Sequence, residues 1–123
     1  MRVLLDTSTF IRAMESPGKL SKRAATVLHS PANTLELSAI SLTEIAIKPA
    51  LEITGEQIRQ ALEDLDIRIL PYTREHAFEL LQLPFHHRDP FDRQIIAQAL
   101  VEAIPVITPA DAFRSYQGIK VIW

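Results

Sequence analysis

The 123-residue chain is 47% hydrophobic and 23% charged, with a net charge of −2 and no cysteine. That length fits one domain over residues 1–123, with enough apolar material to exclude general disorder, while the missing cysteines exclude a disulfide framework or a thiolate metal site. A pI of about 6.1 argues against holding nucleic acid by bulk charge alone, though not against an acidic centre that holds divalent cations.

In chain order, Val3-Leu4-Leu5 predicts a short central parallel strand ending at Asp6. The N-terminal apolar stretch meets that aspartate too early for a signal peptide. No run approaches the roughly 18 apolar residues of a membrane helix, so the chain reads as soluble and cytoplasmic. Phe10 to Met14 suits a short helix, Ser16-Pro17-Gly18 a turn, and Ser21 to His29 a second helix. Leu35 to Ile40 predicts a strand, Ser41 to Lys48 a helix stopped by Pro49, and Thr54 to Asp64 an amphipathic helix. A third strand at Ile67 to Leu70 precedes a helix over Thr73 to Leu81.

The longest helix follows in RDPFDRQIIAQA. Asp89 ahead of Pro90 reads as its N-cap, and Ile95, Ile96, Ala99, Leu100 and Ala103 carry its apolar stripe. Ile104 to Ile107 predicts a fourth strand, Pro109 to Tyr116 a short helix, and Lys120 to Trp123 a fifth strand. Short apolar strands alternating with helices predict an α/β fold of three layers, α/β/α, around a parallel sheet of about five strands. Ligands of such sheets bind outside the carboxyl ends of the strands.

Four acids fall where that rule looks. Asp6 ends the first strand, Glu44 lies past the second, Asp92 opens the long helix, and Asp111 lies past the fourth strand. Carboxylates converging in a cleft repel one another unless divalent cations join them, and Mg²⁺ or Mn²⁺ takes such oxygen ligands. A centre of this kind suits phosphodiester hydrolysis. Thr7, Ser8 and Thr108 are placed to orient metal waters, and Arg88, Arg93 and Lys48 to contact phosphates.

A structural reading competes. Ser41…Glu44, Asp89…Asp92 and Thr108…Asp111 all have capping-box spacing, as does Thr54…Gln57, which suggests no chemistry. That spacing places Glu44, Asp92 and Asp111 alike at a third helical position. Asp6 stands apart, since Thr9 is a poor box partner. His86 and His87 are adjacent and do not make a helical metal pair, so they read as loop residues; His29 and His76 read as surface. Phosphate-cradling glycine motifs and a GxSxG elbow are absent. Ser8 stands where a haloacid-dehalogenase phosphatase needs a second aspartate.

The set LLDTSTF, SLTEIAIK, PFHHRDPFDRQIIAQAL and VITPADAFRSYQGIKVIW resembles a PIN domain, more narrowly a VapC-type toxin of bacterial type II toxin–antitoxin systems. The resemblance spans essentially the whole chain. It implies a Mg²⁺- or Mn²⁺-dependent endoribonuclease with catalytic acids Asp6, Glu44 and Asp92, inhibited by a small cognate antitoxin and usually homodimeric. Its substrates would be RNAs. Relatives usually carry the fourth acid where Ala110 stands, whereas here Asp111 comes one residue later. That displacement keeps open a second reading, a non-catalytic PIN domain serving as a protein-binding module.

Overall fold

The five strand segments are short and largely apolar, and they assemble as the middle of a sandwich. In the computed structural model, which describes residues 1–123, they are β1 (Arg2–Leu5), β2 (Thr34–Ser38), β3 (Ile67–Leu70), β4 (Val106–Ile107) and β5 (Val121–Ile122). All pairings are parallel, in the order β3-β2-β1-β4-β5. The helices are α1 (Thr7–Glu15), α2 (Lys22–His29), α3 (Ala39–Ile47), α4 (Gly55–Asp64), α5 (Arg74–Gln82) and α6 (Pro90–Glu102). No helix is long and apolar enough to cross a membrane.

Although both faces of the sheet are covered, strand periodicity still sorts the side chains. Val3, Leu5, Leu35, Leu37 and Ile107 enter a core with Phe10 of α1, Leu28 of α2 and Ala61 of α4. Leu4 and Val106 point the other way, into a core with Ile95, Ile96 and Ala99 of α6. This is the three-layer arrangement expected. The alternation also explains buried Glu36, which shares the α6 face with Leu4 and is held there by Arg2 at 2.6 and 2.8 Å.

Element boundaries moved where caps competed. Ser38 ends β2 and accepts from the Ile40 N–H, so α3 starts at Ala39, two residues before the expected Ser41. β4 shrinks to two residues because Pro105 has no N–H to give the ladder. The expected helix over Pro109 to Tyr116 is a 3₁₀ turn over Asp111–Ser115. His76, expected at the surface, is fully buried: its Nδ1 accepts from the Thr73 N–H and its Nε2 meets Glu102 at 2.9 Å.

The winding places the functional edge. From β1 the chain steps outward through β2 to β3, then returns to the far side of β1 for β4 and β5. The direction of winding therefore reverses between β1 and β4, and a crevice opens beyond their carboxyl ends.

Candidate metal centre

Asp6 is the first residue after β1 and Thr108 the first after β4, so the two meet across that crevice. The Asp6 Oδ2 accepts from Thr108 Oγ1 at 2.6 Å. Its Oδ1 accepts from the Thr9 N–H at 2.8 Å, which makes Asp6 the N-cap of α1. Thr9 is a poor capping-box partner, yet aspartate caps a helix on its own through the backbone N–H three residues on, so the missing box did not exclude this role. Asp6 is only 3% exposed. Burial pushes its carboxyl above the ordinary range, the threonine donors pull it back, and Glu44 adds repulsion.

Glu44 arrives by a different route from the one its spacing suggested. With α3 beginning at Ala39, Ser41 and Glu44 lie inside the helix and form no capping box. Ser41 instead accepts from Thr7 Oγ1 at 2.8 Å, tying α1 to α3. Glu44 Oε2 accepts from Lys48 Nζ one turn later at 2.5 Å. Its Oε1 is buried with no hydrogen-bond partner. An acceptor in that state has lost water without gaining a donor.

At α6 the two aspartates divide as expected. Asp89 caps the helix, accepting from the Phe91 and Asp92 N–H groups at 2.9 and 3.0 Å. Asp92, third in the helix, is free of capping duty, and its Oδ2 lies 3.3 Å from His87 Nε2. Burial first, then the neighbouring Asp89 charge, raise its carboxyl to about 6, with Asp6 adding and His87 opposing. Lys48 responds from the other side: its ammonium is held on by Glu44 first, and also by Asp89 and Asp92. Asp6, Glu44, Asp92, Asp89 and Lys48 thus share one electrostatic site.

As placed, no three histidine or acidic side chains close around a single point. Glu44 is turned to Lys48 and Asp92 to His87. The donor set nevertheless fits a hard divalent cation: it is all oxygen, two of its carboxyls are raised by burial, and one buried oxygen lacks a donor.

The remaining expected residues scatter. Asp111 is exposed at the head of the 3₁₀ turn, neither at a third helical position nor joined to the other acids by any hydrogen bond. Thr108 touches an acid directly, whereas Thr7 is spent on Ser41. Ser8 lies beside Glu44, Arg12 and Lys48 in a shallow depression. Arg88 is exposed at the rim. Arg93 is not a phosphate contact: it is 4% exposed, donates to Pro84 O, Leu83 O and Tyr116 Oη, and packs over Phe85. His87, expected as a loop residue beside His86, is one, and it lies against Asp92.

A family model for the PIN domain matches residues 3–118. The chain is a PIN domain. Its fold is similar to a VapBC2 complex from Rickettsia felis bound to promoter DNA, at 18% identity and a TM-score of 0.77, covering 98% of this chain and 97% of that one. It is also similar to VapBC-1 from nontypeable Haemophilus influenzae, at 20% identity and a TM-score of 0.73, covering 98% and 96%. VapBC-5 from Mycobacterium tuberculosis, a member of the VapBC family of toxin–antitoxin systems, aligns at 23% identity and a TM-score of 0.62, covering 98% and 97%. No curated protein matches the chain.

Proposed function

We propose that this PIN domain is a Mg²⁺- or Mn²⁺-dependent endoribonuclease, the toxin of a type II toxin–antitoxin pair. PIN domains are in general nucleases, and the reading rests on one observation. Asp6 stands at the reversal between β1 and β4 within reach of the charges of both Glu44 and Asp92, and a buried Glu44 oxygen is left unpartnered. A divalent cation bound there supplies Lewis acidity toward a phosphodiester and activates water.

The chain's own residues do the rest. Asp6 and Asp92 provide carboxylates, and Thr108 orients Asp6 from the far side of the crevice. Glu44 becomes available as Lys48 turns from it, and Lys48, half exposed and 5.7 Å from the Phe91 ring, is then free to meet an RNA phosphate. Arg88 extends that contact along the rim. The solved relatives are VapBC structures, one of them described as a toxin–antitoxin system, which supports a small antitoxin as the cognate partner. The reading includes a homodimer, so light scattering should return twice 13.9 kDa.

Asp6→Asn and Asp92→Asn test it. Each should cut Mn²⁺-dependent RNA cleavage by at least about a hundredfold, the scale of several kcal/mol of lost transition-state stabilisation. Full activity in either sinks the nuclease. The exposed position of Asp111 favours one other reading, a PIN domain that binds protein without cutting. Calorimetry separates the two, because a non-catalytic module shows no carboxylate-dependent Mn²⁺ site.

A further inference from the structure

The HHRDPFDR stretch contains two histidines that the acids alone leave without a role. Adjacent in the chain, they turn to one ring: His86 and His87 pack edge-on against Tyr116, with centroids 4.8 and 5.4 Å away. Tyr116 is 2% exposed, so its hydroxyl must find partners inside the protein. It has two, Arg93 Nη1 at 3.0 Å and His87 Nδ1 at 2.8 Å.

Arginine only donates, so the tyrosine oxygen accepts from Arg93 and the phenolic hydrogen is free for His87 Nδ1. With Nδ1 accepting, the imidazole hydrogen sits on Nε2, and Nε2 faces Asp92 Oδ2 at 3.3 Å. The order Arg93 to Tyr116 to His87 to Asp92 lets every member donate forward. The opposite tautomer puts two donors on the tyrosine oxygen, strands the phenolic hydrogen, and points a bare nitrogen at a carboxylate. The Arg93 end cannot drift, because Pro84 O at 2.7 Å and Leu83 O at 3.2 Å also hold it.

We propose that His87 is a positioning residue for the metal centre: anchored through Tyr116 to buried Arg93, it orients the Asp92 carboxylate for a divalent cation. The inference rests on Asp92 being a metal ligand. Carboxylate ligands are themselves hydrogen-bonded, and removing such an outer partner typically costs 10–100-fold in metal affinity. Histidine suits this place because its two nitrogens let one ring accept on one side and donate on the other.

The test is calorimetric titration of Mn²⁺ alone into the 123-residue chain and four variants. The wild type should bind and Asp92→Asn should not. His87→Ala should weaken binding about tenfold or more in a chain that still folds, with a lowered thermal midpoint because the buried Tyr116 hydroxyl loses its acceptor. The Gln amide reaches where Nε2 stood, so His87→Gln should restore most of the affinity. The shorter Asn amide reaches only the Nδ1 position, and His87→Asn should not restore it. Wild-type affinity in His87→Ala, or equal affinity in the Gln and Asn variants, overturns the positioning role while the metal reading stands. No Mn²⁺ binding by the wild type, or unaltered binding by Asp92→Asn, overturns both.

Discussion

Arg88 and Arg93 flank the same pair of aspartates, yet the fold uses them in opposite ways. Arg93 is an internal strut, and replacing it with Met leaves two carbonyls and a tyrosine hydroxyl short of a charged donor. Arg93→Met should cost about 3 kcal/mol, read from the denaturant midpoint. Arg88→Ala should leave stability within about 0.5 kcal/mol, weaken RNA binding, and make its salt dependence shallower by about one phosphate contact. Lys48 has a third kind of role. Its ammonium occupies Glu44 and repels any incoming cation, so Lys48→Ala should tighten Mn²⁺ binding about two- to fivefold, the scale of a half-exposed ion pair. Of these roles, the sequence showed only those that depend on local spacing. A charged residue reads as surface by default. Arg93 becomes internal only because Leu83, Pro84 and Tyr116, distant or irregular in sequence, converge on it.

At the scale of elements, most starts and stops were legible and the exceptions have physical causes. Thr54 and Gln57 form the full reciprocal box, and Asp89 with Pro90 opens α6 as written. The Ser41…Glu44 pattern has the same spacing but lost to Ser38, whose hydroxyl reaches the Ile40 N–H and also bonds Gln98 of α6. A tertiary partner thus moved α3 two residues earlier. Asp111 failed for a related reason, since a 3₁₀ turn of five residues gives its side chains a different rotation from an α-helix. α6 ends at Ala103 as expected but without the usual glycine, since Ala103 closes it in the left-handed region at φ 55°. Ala103→Gly should therefore stabilise the protein by up to about 1 kcal/mol, seen as a higher melting midpoint. Unchanged or lower stability would show that the extra freedom gained by the unfolded chain outweighs that relief.

Across the whole molecule, the alternation of short apolar strands and helices made the layered architecture readable. The ion-pair network on the α6 face was not readable. There Arg2 joins Glu36 and Glu102, and Glu102 also holds His76. His76 holds the Glu102 carboxyl below its ordinary value, burial opposes it, and Arg2 adds to the lowering. The stability this contributes is fully present above the unfolded value near 4.5, and is lost as pH falls through the lower folded value. Glu102→Gln should destabilise the protein at neutral pH and flatten its stability profile below pH 4.5, measured by denaturation across that range. The two walls of the crevice come from opposite ends of the chain. Thr108 is made 102 residues after the Asp6 it orients, and β4 must dock beside β1 before the two can meet. During translation, a nascent chain that has exposed its first acid, and even Asp92, still has no assembled centre. On the proposed ribonuclease reading, the message and ribosome producing the chain are spared until nearly all of the sheet has emerged.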